Sequence, residues 1–475
     1  MNPSPFPTLL FSAVCLSACM VGPDYHKPDT ATPAQWQTPV ANTATAKLVA
    51  LKHWWQTFND PILTSLIQQA QTGNRDLFQA EARIREARAR RQLAVANLLP
   101  TSSINASASQ SGSSEAANNI RIPGFDLTND LYSNTLDASW EIDIFGKQRR
   151  SLESSAASLQ ASEEDLRDVL VSLCAEVALN YVDVRGYQQR LAITEANLAA
   201  QQETFDITYW REQAGLVSGL DLVQAKLTLE NTRASLPSLR SSLDQAKHRL
   251  AALLGKPPAA LQSLLDKSAA IPVATAQIMT GIPADVLRQR PDIRRSERKL
   301  AAQTAQIGVA EAARYPSFNL SGSIGVESLL TSNLYTASAK TFQMAASSAW
   351  VLFDSGRIRS NVAIQTALQE QALGAYQATV LTALRDVENA LTAYTQEQQR
   401  RTALQASVQA GISAMALANE QYQSGTVDFQ RVLDSQRSLL SAQTQLATSE
   451  AEIAANVVRL YKALGGGWQT EQAHG

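Results

Sequence analysis

Cys19 is the residue at which the sequence places covalent chemistry. An apolar run from Leu9 to Leu16 leads into Leu16-Ser17-Ala18-Cys19. Small residues ahead of a cysteine admit a signal peptidase, and the thiol first accepts a diacylglyceryl group. Residues 1–18 then read as a lipoprotein signal peptide, leaving Cys19 with an S-diacylglycerol and an N-palmitoyl chain. The alternative is an ordinary export signal with an incidental cysteine. The run is too short to cross a bilayer. Residues 1–18 hold neither Lys nor Arg, which leaves an upstream start codon open. Other chemistry is missing from the pattern. His26, His53, His248 and His474 are scattered without metal-ligand spacing. No phosphate-binding glycine loop and no nucleophile with a placed base stand out, so no enzyme and no cofactor beyond the lipid are expected. Loss of residues 1–18 removes Cys15 and leaves Cys174 alone, which reads as a small buried hydrophobe. The net charge of −2 gives no reason to expect nucleic acid as a partner.

The elements that carry these residues occur twice. A shift of 210 positions brings Trp140, Gly146, Gly215, Arg249-Leu250 and Gly255 onto Trp350, Gly356, Gly425, Arg459-Leu460 and Gly465. Nearer the start of each copy the shift is 216, pairing Asp76 with Asp292 and Pro100 with Pro316. Two tandem copies of one unit are therefore expected. Within them Leu373, Tyr376, Val380, Leu384, Val387, Leu391 and Tyr394 step by threes and fours, the coiled-coil period. Aromatics make up only 6 % of the chain, which suits thin helical packing. The reading gives an extended strap over 19–60 and a first repeat over 61–255, with a hairpin at 101–142, a long helix at 146–213 and a helix at 218–254. A linker covers 256–283. The second repeat covers 284–465, with a hairpin at 317–352, a long helix at 356–423 and a helix at 427–464, and a tail at 466–475 follows. Asp60 before Pro61 is a helix start, and Pro100 and Pro316 are stops.

Residues 317–350 alternate with period two. Phe318, Leu320, Ile324 and Val326 take one face, and Asn319, Ser321 and Ser323 take the other. Tyr132, Leu136, Trp140 and Ile142 alternate with Ser133, Thr135, Asp137, Ser139 and Glu141 in the same way. Strands of about ten residues match a tilted membrane strand, with Trp140 and Trp350 as an aromatic girdle. An ordinary soluble hairpin with one buried face is the other reading. Two hairpins supply four strands, too few to close a barrel. Two chains would give a filled eight-stranded barrel and three a twelve-stranded barrel with a lumen. The polar inner face favours the homotrimer. The fold expected is mainly α with membrane β-hairpins: a trimeric twelve-stranded β-barrel continued by a long α-helical barrel.

With these residues in view, the chain resembles the outer-membrane factors of tripartite efflux systems, the TolC/OprM family, in its NodT-type lipoprotein branch. The likeness rests on Leu16-Ser17-Ala18-Cys19 with Gly22-Pro23-Asp24-Tyr25, on Trp54-Trp55 with Phe58 and Asp60, and on Arg288-Gln289-Arg290-Pro291-Asp292-Ile293-Arg294. It also rests on Leu433-Asp434-Ser435-Gln436-Arg437 and on Tyr461 to Trp468. The resemblance implies a barrel in the outer membrane and a helical tunnel through the periplasm. It implies a periplasmic adaptor (membrane fusion protein), an inner-membrane efflux pump and contact with outer-membrane lipid. The function implied is a passive, gated exit duct for drugs or other small toxic compounds; an exit duct for secreted proteins is the alternative. Carried onto this chain, the tips Gly215-Leu216-Val217-Ser218 and Gly425-Thr426-Val427-Asp428 would contact the adaptor. Asp434 and Arg437 would form a periplasmic constriction, and Asp221 and Tyr422 a link that pins it. On residue spacing alone, Asp434 and Arg437 read equally as a solvated ion pair.

Overall fold

A computed structural model describes residues 20–29, 33, 35–37, 49–114, 128–274 and 289–468. The signal peptide with Cys19, most of 30–48, the hairpin turn 115–127, the linker from 275 and the tail beyond 468 lie outside the described residues. The chain divides into two compact units. One comprises Met1–Asp29, Arg83–Ser162 and Arg295–Tyr376; the other comprises Thr30–Ala82, Glu163–Arg294 and Gln377–Gly475.

Along the chain run α1 (Pro61–Gly73), α2 (Arg75–Ala96), β1 (Thr101–Gly112), β2 (Thr128–Ile142), α3 (Lys147–Gln213) and α4 (Gly219–Leu253). They are followed by α5 (Pro291–Ala312), β3 (Ser317–Ser328), β4 (Lys340–Ala349), α6 (Arg357–Gln423) and α7 (Phe429–Ala463). The duplication is carried residue for residue. Helices α3 and α6 both have 67 residues, and α4 and α7 both have 35. β1 and β3 both have 12 and keep the 216 shift. The six extra residues of the first copy therefore fall after β1, in its hairpin turn, where chain length is tolerated. The sequence reads a helix from about Pro61 to Leu99 that loosens near Gly73, and the structure has two helices there. Asn74 breaks it by accepting the amides of Asp76 and Leu77 at 2.8 and 3.1 Å, while its amide donates to Leu253 O at 2.8 Å.

The closed barrel is not present. β1 to β4 form one antiparallel sheet in the order β1-β2-β3-β4, and the outer edges of β1 and β4 have no partner strand among the described residues. Four strands at about 4.8 Å spacing are far too narrow to curl into a closed ring. The architecture is mostly α-helical with a small open sheet. The expectation of a twelve-stranded barrel built of transmembrane strands is corrected accordingly. The alternation itself is in the register: Ser103, Asp137, Ser323 and Gln343 form one cross-strand row, and Ile104, Leu136, Ile324 and Phe342 the next. Ile104 and Phe342 are exposed, so the described residues leave the apolar face of the sheet open there.

The core of the second unit surrounds Trp54, which is fully buried and stacks on Tyr461 at 5.3 Å. Trp55, Phe58, Leu63, Leu66, Ile67, Tyr181, Leu250, Leu261 and Leu265 are among its other buried members. Asp60 starts α1 by accepting the amides of Ile62 and Leu63 at 2.8 and 3.0 Å. Its second oxygen accepts the Tyr181 hydroxyl at 2.6 Å, joining the helix start to α3. Cys174 lies buried in this core, and burial pushes its thiol up to about 12. Trp54→Ala should cost about 3–5 kcal/mol, read as a lowered denaturant midpoint for the purified protein. A cost under about 1 kcal/mol would show that the indole carries little of the packing.

Candidate functional site

The sequence points to the two helical hairpin turns, α3–α4 and α6–α7, both in the second unit. Each turn must satisfy the open carbonyls of a long helix and the open amides of the next. Gly215 and Gly425 do the first at φ +70° and +75°, a conformation that strains residues with a Cβ. Gly215 N–H donates to Glu212 O at 2.8 Å and Leu216 N–H to Arg211 O at 2.9 Å. Gly425 N–H and Thr426 N–H repeat the pair onto Tyr422 O and Gln421 O at 3.1 and 2.9 Å.

The amides are closed differently in the two copies. Ser218 and Asp221 form a reciprocal capping box: Ser218 Oγ accepts the Asp221 amide at 3.3 Å, and Asp221 Oδ2 accepts the Ser218 amide at 3.2 Å. At the other tip the Asp428 carboxylate accepts the Arg431 amide at 3.3 Å. Gly215, Leu216, Ser218, Gly425, Thr426 and Asp428 are exposed, and Val217 and Val427 are half-buried. The tips thus leave backbone and side chains open to solvent.

Beneath the tips, Ala225, Ala418, Phe429, Val432 and Leu433 form a small buried cluster bordered by Phe205, Met415 and Tyr422. Tyr422 packs on Phe429 at 5.2 Å, and the Arg211 guanidinium lies 5.0 Å over its ring. Its hydroxyl is buried without a hydrogen-bond partner among the described residues. Burial raises its pKa, Arg211 opposes this, and the charge of Asp221 adds to it. No direct Tyr422–Asp221 hydrogen bond is formed among the described residues; Asp221 Oδ2 accepts the amide and hydroxyl of Ser218 instead.

Asp434 and Arg437, one turn apart on α7 past the tip, are brought together, with Arg437 Nη1 and Asp434 Oδ1 3.8 Å apart and both side chains exposed. At that separation the pair is loose and adds little stability. The stronger partners were not foreseen from sequence. Arg437 Nη2 donates to Thr228 Oγ1 on α4 at 2.8 Å, and Gln430 Nε2 donates to Asp434 Oδ1 at 2.9 Å. Arg437 thus ties one helical hairpin to the other. The Ser218-x-x-Asp221 spacing could have revealed the capping box; no local signal marks Thr228.

In the first unit, Trp140 Nε1 donates to Leu98 O at 2.9 Å and Trp350 Nε1 to Arg314 O at 3.0 Å, a duplicated contact that leaves both rings partly exposed. Cys19 lies outside the described residues. No group of three or more His, Cys, Asp or Glu suited to a metal occurs among the described residues.

A family model described as "Outer membrane efflux protein" matches residues 66–256 and 282–466, covering both repeats. The chain is 34 % identical to Nodulation protein T of Rhizobium leguminosarum bv. trifolii over 462 residues, 97 % of each chain. It is 33 % identical to the Pyoverdine export outer membrane protein OpmQ of Pseudomonas putida, covering 93 % of each. Its fold matches the outer-membrane channel OprN with a TM-score of 0.88 at 37 % identity, over 95 % of this chain and all of that one.

Replacing Ser218 or Asp428 by Ala should destabilise its helix start by about 0.5–2 kcal/mol. Hydrogen exchange should then accelerate in the first turn of α4 or α7 alone; unchanged protection there would show that the caps do not hold the tips.

Proposed function

Because this chain belongs to the outer membrane efflux protein family, we propose that it gives drugs or other small toxic compounds a passive, gated exit. It is the outer-membrane channel of a tripartite efflux system, working with an adaptor and a pump, and not an enzyme. The observation that carries this reading is the family match across both repeats, whose duplicated helical hairpins end in exposed, capped tips. Energy comes from the inner-membrane pump, and the periplasmic adaptor docks on Gly215–Ser218 and Gly425–Asp428.

The working form proposed is a homotrimer. The unpartnered edges of β1 and β4 and the exposed stripe Leu220, Val223 and Leu227 on α4 support further association of the chain. The helical part extends into the periplasm, and Cys19 carries the S-diacylglycerol and N-palmitoyl groups that tether the chain to outer-membrane lipid. Trp140 and Trp350 face the lipid interface. Asp434 and Arg437 form the constriction: three aspartates converging on one axis repel one another and favour cations. The Arg437–Thr228 bond, together with the Tyr422–Arg211 stack near Asp221, holds it narrow.

Asp434→Ala combined with Arg437→Ala should raise single-channel conductance several-fold in planar bilayers. Unchanged conductance and ion selectivity would reject the gate. Deleting the gene should increase susceptibility to small organic toxicants and leave the secreted proteins as they were. A secretome that loses a protein, with susceptibility unaltered, would assign the duct to protein export instead.

A further inference from the structure

The second unit holds a cavity of about 560 Å³ where α3, α6, α7 and the start of α5 meet. Drug-sized ligands occupy clefts of roughly 300–1,000 Å³. Its apolar lining consists of small or compact side chains: Val171, Pro291, Ala390, Ala393 and Ala463. Asn389 and Gln396 add exposed amides, and Lys462 adds an ammonium group. The cavity is remote from the tips. Lys462 stands twenty-five residues beyond Arg437 on α7, about 37 Å at 1.5 Å per residue.

The charges of the lining are paired, with one exception. Arg290 holds Asp292 at 2.7 Å and donates to Ala463 O at 2.6 Å. Arg385 holds Asp386 at 2.9 Å, Arg400 holds Glu397 at 3.0 Å, and Arg459 holds Glu452 at 2.9 Å. Asp168 is engaged as well. Lys462 is half-buried, and its ammonium has no partner among the described residues. The acids are spoken for, so the charged group left to meet a ligand is a cation.

Comparison of the two copies shows where this arrangement came from. At the 210 shift, Ala393 falls on Asp183, Asn389 on Leu179 and Lys462 on Ala252. In the first copy Asp183 pairs with Arg249 at 3.5 Å, joining α3 to α4. In the second copy that acid is an alanine, and Arg459, the equivalent of Arg249, turns to Glu452 on its own helix. The alanine leaves room beside α7, and a lysine replaces an alanine at the edge of that room. An ion-paired wall in one copy is thus an open recess with an unpaired cation in the other.

We infer that this cavity binds a small organic anion, with its carboxylate on Lys462 Nζ and its apolar body against Ala390, Ala393 and Ala463. A carboxylate gains a charge-assisted hydrogen bond from the ammonium that a neutral ligand of the same shape does not. Alanine walls admit a flat ring that longer side chains would exclude. The amides of Asn389 and Gln396 serve polar substituents of the ligand. Occupancy of the cavity does not depend on what the duct exports.

The test titrates the full-length protein in dodecyl maltoside with 1-naphthylacetate by isothermal calorimetry, with protein-free micelles as the blank. 1-Naphthylacetamide carries the same ring without the charge. The acetate should saturate and bind about tenfold more tightly than the amide. Lys462→Met keeps the length of the side chain and removes its charge. It should weaken the acetate about tenfold and leave the amide unchanged, and Lys462→Arg should restore the preference. Ala393→Trp, at an exposed position, should fill the recess and abolish binding of both, with the melting temperature of each variant reporting an intact fold. Absence of saturable heat overturns the inference, whether a second copy fills the cavity or the cavity rejects the anion. Binding that survives Ala393→Trp overturns it too, because the ligand then sits elsewhere. Equal affinities for acetate and amide, or a Lys462→Met variant that binds the acetate as tightly as the parent, overturn the anion assignment.

Discussion

Backbone groups left open at helix ends govern this structure. A 67-residue helix satisfies its own interior, so the problem of pairing collects at the few residues where the chain reverses. Both reversals are solved without burying the turn. Glycine closes the carbonyls in the left-handed region, and a hydroxyl or carboxylate closes the amides. The solution needs no tertiary partner, so the tips remain exposed and free to serve as contact surfaces. The sheet is in the opposite condition. β2 and β3 are paired on both sides, whereas β1 and β4 each keep one edge that the described residues do not fill.

Pairing between the two helical hairpins is polar and periodic. Gln189 Nε2 donates to Glu450 Oε2 at 3.0 Å, Asn197 Nδ2 to Gln443 Oε1 at 2.9 Å, and Gln436 Nε2 to Thr204 Oγ1 at 2.9 Å. On α7 these residues are seven apart, and on α3 eight and seven apart, so the contacts climb one antiparallel coiled-coil seam. A seam of side-chain hydrogen bonds fixes register, because a slip by one turn leaves every donor without its acceptor. It is also weaker than an apolar seam of equal length, since each bond replaces one to water. Such a wall holds its alignment while remaining able to part, which suits a gated duct better than a continuous hydrophobic core.

What the sequence discloses divides along the same line between local and distant. The repeat, the glycine turns, the Asp60-Pro61 helix start and the alternation of the strands are written within a few residues of where they act, and all can be read from type and spacing. The loosening near Gly73 can be read in the same way, but its tertiary partner escapes, because the Asn74 amide reaches Leu253 O, 179 positions away. The partners of Arg437 escape for the same reason. The closed barrel failed for a different cause. Period two reveals that a strand has two unlike faces and says nothing about what lies beyond the last strand of one chain.

Duplication also explains why the two tips do not carry the same chemistry. Position by position, Asp434 and Arg437 replace Gln224 and Leu227 of the first copy, and Arg431 replaces Asp221. The first tip therefore spends its acid on its own helix cap and leaves Leu220, Val223 and Leu227 bare. The second tip caps with Asp428, buries Leu433 where the first exposes Val223, and presents Asp434 and Arg437. One inherited backbone thus presents an apolar stripe at one turn and a charged pair at the other. An ancestral pair of identical turns could offer only two copies of the same surface. Divergence at a handful of helix positions, with the glycines and caps kept, gives one backbone two unlike surfaces.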